Sequence, residues 1–456
     1  MSENKISFVT KHLALCTSLL VFVIYLFTMA PGVLQIDSGE LAAVQYTFGI
    51  AHPTGYPLFT LIGYLFLKIP LPFTKIFQAN LLVAILCTLG IFFFIKSSQL
   101  IFNNTKFTIP PIKKKGHQKD KALVPPMING SNLKIASFYS GLVLAFSKTY
   151  WFQSTSVEVY SLQIFLFMLI IFFTLNAYYS TSSKINTWLY VAIVLAFGFS
   201  NHMTTMLTLP LVAILFFNKE KFRPKSFLKI FYMLAVFLPI LILFYSFLPL
   251  RASSDPQINW GNPINFENLL RHISGKQYQV WLFTSAEAAK RQFLYYLQNL
   301  PGEFVVVGLV FGLIGLQYCF KLSKKIFFAV LTTFVFSILY SINYDIVDID
   351  SYFLLSYIIF SFFISFGTLK ILHFLENKFK YNNVIHTIFG LIILIPFFGN
   401  VSIVNQSGVK TFEEYTKAVL TSIEKKSIVL SYQWDYLRSE ERRVGKECRS
   451  RWSPYH

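Results

Sequence analysis

The chain consists largely of long apolar runs separated by short polar segments. Several runs approach or exceed the roughly 18 apolar residues that cross a bilayer. Spans are predicted at about 13–30, 77–95, 135–150, 160–179, 187–200, 203–217, 230–249, 301–320, 326–343, 353–371 and 384–400. The pattern therefore predicts an all-α polytopic membrane protein with about eleven transmembrane helices.

Charge patterning predicts the orientation. The loop 96–134 is rich in lysine, whereas the first loop, 31–57, has no Lys or Arg. The positive-inside rule therefore places loop 96–134 in the cytoplasm and the first loop outside. The run Leu58–Phe73 fits either a span or an interfacial helix. If it spanned, the Lys113–Lys115 loop would lie outside, so the rule favours an amphipathic helix in the exterior interface.

Composition excludes several classes. Of the 456 residues, 54% are hydrophobic and 13% are charged, whereas about 25% charged is usual for soluble domains. The excess positive charge lies in short loops between spans, which argues against nucleic acid as a partner. The four cysteines form no Cys-x-x-Cys pair, and Walker A and His-Glu-x-x-His motifs are absent. These absences disfavour ATP-driven transport and zinc proteolysis.

The predicted exterior carboxylates lie at the membrane boundary, where a charge is costly unless it faces a wet cavity or a partner. They are Asp37, Glu40, Glu158, Asp345, Asp348 and Asp350. Their loops, together with the long connection before the eighth span, meet on one side of the membrane. The loops are 31–57, 151–160, 250–300 and 344–352. We expect the chemistry of the protein on that side.

Asp37 and Glu40 allow two interpretations. Asp-Ser-Gly-Glu before an apolar run resembles a capping box, with Asp37 as N-cap and Glu40 at the third helical position. Alternatively, Asp37 is a general base just outside the membrane. The two interpretations are compatible if Asp37 acts and Glu40 caps.

Other polar residues of these loops also have a structural and a functional interpretation. The segment His52–Pro57 is a rigid turn, in which the imidazole could also bind a phosphate or an acceptor. Glu158 is either a favourable acid at a helix start or a site residue. His202 either completes a polar turn or binds a ligand. Arg251 either snorkels to the headgroups or forks onto a phosphate.

The segment 344–350 alternates acidic and apolar residues. Asp345, Asp348 and Asp350 could hold a divalent cation, although they lack EF-hand spacing, and we consider metal binding the minor alternative. The pair Gly308 and Gly312 within an apolar run indicates ordinary helix packing.

Taken together, these motifs resemble a known family. They are PGVLQIDSGELAAVQYTFGIAHPTGYPL, SVEVYSLQIF, SNHMTTMLTLP, YSFLPLRA with INWGNP, and YDIVDIDSYF, in that order. The family is that of the eukaryotic transmembrane O-mannosyltransferase that modifies IPT domains of plexin-type receptors, with many bacterial relatives. It is similar to the GT-C glycosyltransferases. The resemblance covers roughly residues 10–410.

The resemblance implies transfer of a sugar, mannose above all, from a polyprenyl-phosphate donor to an acceptor hydroxyl, such as a protein Ser or Thr, on the exterior face. Asp37 and Glu40 would be the catalytic carboxylates, with Asp37 as base, and Arg251 would neutralise the leaving phosphate. Donor or acceptor would be bound by His52, Tyr56, Glu158 and His202. The expected partners are membrane lipid, the lipid-linked donor and an acceptor protein.

A transporter or lipid-linked-sugar flippase is the competing function. It would require charged groups in the middle of spans and often shows inverted repeats, and neither feature is evident. For a glycosyltransferase, the expected location is the bacterial inner membrane with a periplasmic site, or the endoplasmic reticulum membrane with a luminal site in a eukaryote.

Three regions are expected along the chain. Residues 1–400 form the transmembrane domain, and 401–437 begin an exterior C-terminal region that is longer in the family. Residues 438–456 resemble the translation of a sequencing adapter, so we expect them to be foreign to the fold and the native chain to be truncated at about Leu437.

Overall fold

A computed structural model describes residues 12–34, 37–105, 130–181, 185–378, 382–424 and 427. Helices dominate this part of the chain. They are α1 (Leu13–Thr28), α2 (Ser38–Thr47), α3 (Pro57–Leu67), α4 (Lys75–Asn104), α5 (Gly130–Ala145), α6 (Lys148–Phe152), α7 (Val159–Tyr179), α8 (Asn186–Asn201), α9 (Leu209–Glu220), α10 (Pro224–Ala252), α11 (Phe266–Ile273), α12 (Ala286–Leu322), α13 (Lys324–Ser341), α14 (Leu354–Lys378), α15 (Asn382–Val404) and α16 (Thr411–Ser422). Short 3₁₀ turns occupy Met203–Thr208, Lys276–Trp281 and Ile349–Phe353.

The all-α polytopic class is confirmed. Seven helical stretches in the described part of the chain are long and apolar enough to cross a membrane, within α4, α7, α10, α12, α13, α14 and α15. The other four predicted spans also form helices, α1, α5, α8 and α9, but these have only 12 to 16 residues. The total of eleven therefore remains a prediction.

The ambiguous run after the first loop forms the short helix α3. Its 11 residues would rise about 16 Å, roughly half of the hydrocarbon thickness of a bilayer. As a helix of this length it cannot span, which favours the interfacial alternative. The Lys113–Lys115 loop lies outside the described residues, so its side of the membrane stays a prediction.

Helix α12 is longer than the predicted span 301–320 because it begins before the membrane segment. The helix contains Pro301 and is interrupted at Val305, where φ is 54°. Its first half therefore forms a separate arm. This arm carries polar residues toward the loops, a feature that the apolar run alone could not indicate.

The centre of the domain is the close packing of α12 on α14. A Cβ at Gly315 of α12 would lie 1.7 Å from the Phe363 carbonyl oxygen, so only glycine permits this approach. A Cβ at Gly312 would lie 2.2 Å from the Phe360 ring, which confirms that the Gly308–Gly312 motif packs helices. In the most apolar window of α14, 72% of residues are buried, against 6% for α10 at the periphery.

One buried amide ties two of the loops together. Asn80 of α4 donates to the carbonyl oxygens of Ala30 and Gly32, at the start of the first loop. Its oxygen accepts the N–H of Val157, one residue before Glu158. This amide thus fixes the segments that precede Asp37 and Glu158 relative to each other.

The segment after α15 lies at the end of α1, where the first loop also begins. The N–H of Gln406 donates to the Thr28 oxygen at the end of α1, and α16 follows. The predicted foreign segment 438–456 lies outside the described residues, so that prediction remains untested.

Candidate functional site

A cavity of about 830 Å³ opens where the four predicted loops meet, on the side that we call the loop face. Among its lining residues are Asp37, His52, Tyr56, Tyr160, His202, Tyr278, Trp281, Arg291, Tyr295, Tyr344, Asp345, Asp348 and Tyr352. The first loop, the start of α7, the 250–300 connection and the 344–352 segment all contribute. The expected convergence of these loops is therefore observed.

Asp37 lies immediately before α2, as a capping box requires, but it makes no side-chain capping bond. Glu40 is the third residue of α2, and its carboxylate contacts the turn that follows the helix. It accepts the backbone N–H of His52 at 2.9 Å and faces Nδ1 of the same histidine at 3.0 Å. The capping interpretation is therefore wrong for the Asp37 side chain. Asp37 instead lines the cavity with its side chain 22% exposed.

The turn after α2 holds His52 against these acids. Its Nε2 lies 3.0 Å from the Tyr56 hydroxyl and 3.7 Å from Oδ2 of Asp37. Gly55 has φ of 85°, a conformation that side chains disfavour, and a Cβ there would lie 2.9 Å from Nε2 of His272. Burial raises the pKa of the Tyr56 hydroxyl well above its usual value, with neighbouring tyrosines and acids adding to the shift.

His202 also faces the cavity, at the end of α8. Its Nδ1 accepts the backbone N–H of Thr204 at 3.2 Å, so the neutral ring carries its proton on Nε2. Burial, with a smaller effect from His52, lowers the pKa of His202 to about 4. At neutral pH the residue is therefore an uncharged hydrogen-bond donor, and its ring stacks against that of Tyr56.

Glu158 immediately precedes α7 and is partly exposed. Burial of its carboxyl group is the main cause of its raised pKa, and the nearby carboxylates of Asp37 and Asp348 raise it further. The side chain makes no capping bond. Glu158 thus shares the electrostatic environment of Asp37, although it does not line the cavity wall.

Arg251 is not brought into the cavity. Its Nε donates to the Phe48 carbonyl oxygen at 2.6 Å and one terminal nitrogen reaches the Thr47 oxygen at 3.4 Å. These are free carbonyls at the C-terminal end of α2, where a cation is favoured by the helix dipole. The side chain therefore caps the helix that carries Glu40, and the expected contact with a phosphate is not supported.

Arg291 is the cation that sequence reasoning missed. It lies on the first half of α12, lines the cavity and pairs with Asp345 through an N–O distance of 2.6 Å. Its side chain is 62% exposed. The signal available in the sequence was a basic pair, Lys290-Arg291, within a helical pattern before the predicted span.

The acidic 345–350 segment does not group its carboxylates as the minor alternative, a cation site, would require. Asp345 pairs with Arg291, and Asp350 accepts the Tyr295 hydroxyl at 2.9 Å. Within the described ranges, the one group of metal-ligand type is Asp37, Glu40 and His52, whose donor atoms lie within 4.8 Å of one another. A cation there would have to displace the bond between Glu40 and His52, so a hydrogen-bonded network fits the arrangement better.

The connection between α10 and α12, residues 253–285, lines one side of the cavity, and we call it the roof. Backbone hydrogen bonds join it to neighbouring loops at both edges. At one edge, the N–H of Ile50 donates to Ile258 and that of Trp260 donates back to Ile50. At the other edge, the N–H of Phe283 donates to Asn343 and that of Asp345 to Trp281. The roof thus joins the first loop to the acidic segment.

Buried His272 of α11 lies on the inner side of this roof, against Gly55. Burial, followed by the proximity of His52, lowers its pKa to about 4. The residue is therefore neutral when the roof is docked. Sequence reasoning missed this contact because His272 and Gly55 are far apart along the chain.

Comparisons with known proteins agree with the sequence motifs. Residues 37–226 match the family model described as the N-terminal domain of protein O-mannosyl-transferase TMEM260. The protein O-mannosyl-transferase tmem260 of Dictyostelium discoideum is 23% identical over 64% of this chain and 35% of its own length. The mouse protein O-mannosyl-transferase TMEM260 is 24% identical over 55% of this chain and 32% of its own length. The chain thus spans about a third of these curated relatives.

The fold also has a solved counterpart. ArnT from Cupriavidus metallidurans, crystallised with undecaprenyl phosphate, superimposes with a TM-score of 0.62 over 93% of this chain and 83% of its own. The sequences are only 9% identical, so this likeness concerns the fold. The chain is an integral multi-pass membrane protein with a GT-C-like fold, and its resemblance to the O-mannosyltransferase family is confirmed.

Proposed function

We propose that this chain, from the GT-C-like O-mannosyltransferase family, is a membrane glycosyltransferase that transfers mannose from a polyprenyl phosphate to a protein Ser or Thr hydroxyl. The observation that carries the proposal is the position of Asp37, whose carboxylate faces an 830 Å³ cavity and makes no capping bond. In support, the relatives are named protein O-mannosyl-transferases, and the structural counterpart was crystallised with undecaprenyl phosphate.

Asp37 acts as the general base. A hydroxyl is a poor nucleophile until a positioned base takes its proton during attack. The acceptor oxygen forms a bond to the anomeric carbon as the bond from that carbon to the phosphate oxygen breaks. The phosphate leaves with the electron pair, and a single displacement inverts the anomeric centre.

Arg291 and His202 serve the leaving phosphate. Both line the cavity, the first as a cation and the second as an uncharged Nε2 donor at neutral pH. Donors aimed at the developing charge stabilise the transition state more than the ground state. Arg291 takes the role that the family resemblance implied for Arg251, since Arg251 is occupied at the end of α2.

The transfer assay uses the purified full chain in detergent with labelled polyprenyl-phosphate mannose and Ser- or Thr-containing acceptor domains. We expect labelled acceptor and free polyprenyl phosphate in equal amounts. In proteoliposomes, movement of the intact donor across the bilayer without labelled acceptor would instead identify a flippase and overturn the proposal.

The site is proposed to face the exterior. An Asp37→Cys variant in intact cells or sealed vesicles should react with a membrane-impermeant maleimide added outside, or added to the luminal side in a eukaryotic host. The parent chain, which keeps all four of its own cysteines, provides the background, since Cys87 and Cys319 are buried but Cys16 is partly exposed. Labelling only after the cytoplasmic side is opened would contradict the orientation.

A further inference from the structure

Both carboxylate oxygens of Glu40 contact the same neighbouring residue, His52. Its side chain is 1% exposed. One oxygen accepts the His52 N–H at 2.9 Å, and the other faces Nδ1 of His52 at 3.0 Å. A carboxylate buried this deeply is costly unless its partners satisfy it. Glu40 is therefore placed to orient an imidazole.

This contact fixes the tautomer of His52. An ionised carboxylate only accepts hydrogen bonds, so Nδ1 must carry the proton and the neutral ring leaves Nε2 as an acceptor. Nε2 lies 3.0 Å from the Tyr56 hydroxyl and 3.7 Å from Oδ2 of Asp37. The rings of Trp260 and Tyr278 stand edge-on to the imidazole and limit its rotation.

We propose that Glu40 and His52 form a proton relay behind Asp37, in which His52 removes the proton that Asp37 has taken from the acceptor. This inference rests on the proposed transferase function. The acceptor O–H bond breaks and its proton goes to Asp37. The proton then passes to Nε2 of His52, and the resulting imidazolium is stabilised by Glu40. Release of the proton to water in the cavity restores the starting state.

The relay answers a specific difficulty. A carboxylate that has taken the proton must lose it before the next acceptor binds, and His52 supplies a base within reach. Glu40 touches no reacting atom, so it is a positioning residue, whereas His52 handles the proton itself. Carboxylate–imidazole pairs that orient a base recur on unrelated folds.

The deciding variant is Glu40→Gln. The amide keeps the size, but its NH₂ group facing Nδ1 donates, so the imidazole changes tautomer and places a proton on Nε2. We expect kcat to fall by about 10- to 100-fold, with the donor KM within about twofold. The wild-type pH–rate profile should show an acid limb in the imidazole range that the variant lacks. A role in packing alone would not remove that limb.

The matched control is Glu267→Gln, the same change at an exposed acid of α11. His52→Gln should reproduce the loss, and the double variant should be no slower than either single variant, because both changes break one relay. If Glu40→Gln does not fold, His52→Gln decides alone, since it leaves the Glu40 carboxylate in place.

The outcomes separate the relay from the proposed function. Absence of transfer by the wild-type chain would overturn the proposed function. Transfer by the wild type together with normal kcat and an unchanged pH profile in folded Glu40→Gln or His52→Gln would overturn only the relay. Loss of wild-type activity in EDTA, restored by a divalent cation, would overturn it in favour of a metal centre at the same residues.

Discussion

The cavity has two acidic sides that look alike in sequence and differ in structure. On the first loop, Glu40 is buried and holds His52 beside Asp37. Across the cavity, Asp345 is 31% exposed and pairs with Arg291, itself 62% exposed. We call these the buried side and the exposed side.

The difference shows that burial and partners decide what a carboxylate does. An ion pair in contact with water is screened and contributes little, typically less than about 1 kcal/mol. A buried carboxylate must be satisfied by fixed donors, and those donors become fixed in turn. The buried side can therefore position a base to a fraction of an ångström, whereas the exposed side can mainly adjust the local charge.

The largest expected effect is that of Asp37→Asn on the buried side. Asparagine is as good an N-cap as aspartate, so a capping role would leave activity intact. Loss of a general base should lower transfer by about 10²- to 10⁴-fold. The measurement is transfer by the purified variant, with donor binding as the control for folding. Near-normal transfer would move the base to Glu158 or to the exposed side.

The fold could largely be predicted from sequence, because a long run of apolar residues is by itself a strong signal for a membrane helix. The positions of α7, α8 and α15 agree closely with the runs that predicted them. The interruption of α12 at Val305, where φ is 54°, could not be predicted from the apolar run, because apolar length carries no information on backbone dihedral angles.

The site was predicted at the level of loops and only partly at the level of contacts. Asp37, His52 and His202 were expected at the cavity and line it. A phosphate contact was expected for Arg251 and Arg291 was missed, because the contacts of both side chains depend on how segments distant in sequence pack together. Only the fold shows that one meets the free carbonyls of α2 while the other faces the cavity.

The pH dependence of roof docking offers a second test of the buried side, because His272 of the roof packs against Gly55 in the turn that carries His52. The docked roof keeps His272 neutral with a pKa of about 4, whereas an undocked histidine titrates near about 6.5. Above about pH 6.5 docking should not depend on this group. Between about pH 6.5 and 4 the undocked state binds a proton that the docked state does not, so docking should weaken by up to about tenfold per pH unit.

Hydrogen exchange across residues 258–275, corrected for the intrinsic rate, measures this opening. The variant His272→Asn removes the titration while keeping a polar side chain. Its exchange should be faster overall but should lose the extra acceleration toward acid. If hydrogen exchange in the wild type and in His272→Asn responded to pH in the same way, groups other than His272 would be responsible for the acid sensitivity.

On the exposed side, Arg291→Gln should have a smaller effect than either change on the buried side. Removing a cation that faces the cavity should raise the donor KM and lower kcat/KM on the order of tenfold, because solvent screens much of its charge. Arg291→Lys keeps the charge and should retain more activity. The measurement is transfer at varied donor concentration and at two ionic strengths. An unchanged donor KM in Arg291→Gln would remove this residue from the phosphate site.

The smallest effect is expected from Asp345→Asn, the same chemical change as Asp37→Asn made on the exposed side. It removes the ion-pair partner of Arg291 but leaves the arginine in place and accessible. Because an exposed pair contributes little to stability, the melting temperature in detergent should stay within about 2 °C. Transfer should stay within about twofold of the wild type, with any change appearing in the donor KM as Arg291 becomes freer to meet the phosphate. The two variants are best compared side by side in one assay. A large loss in Asp345→Asn together with a small one in Asp37→Asn would reverse the assignment of the two sides and place the base on the exposed one.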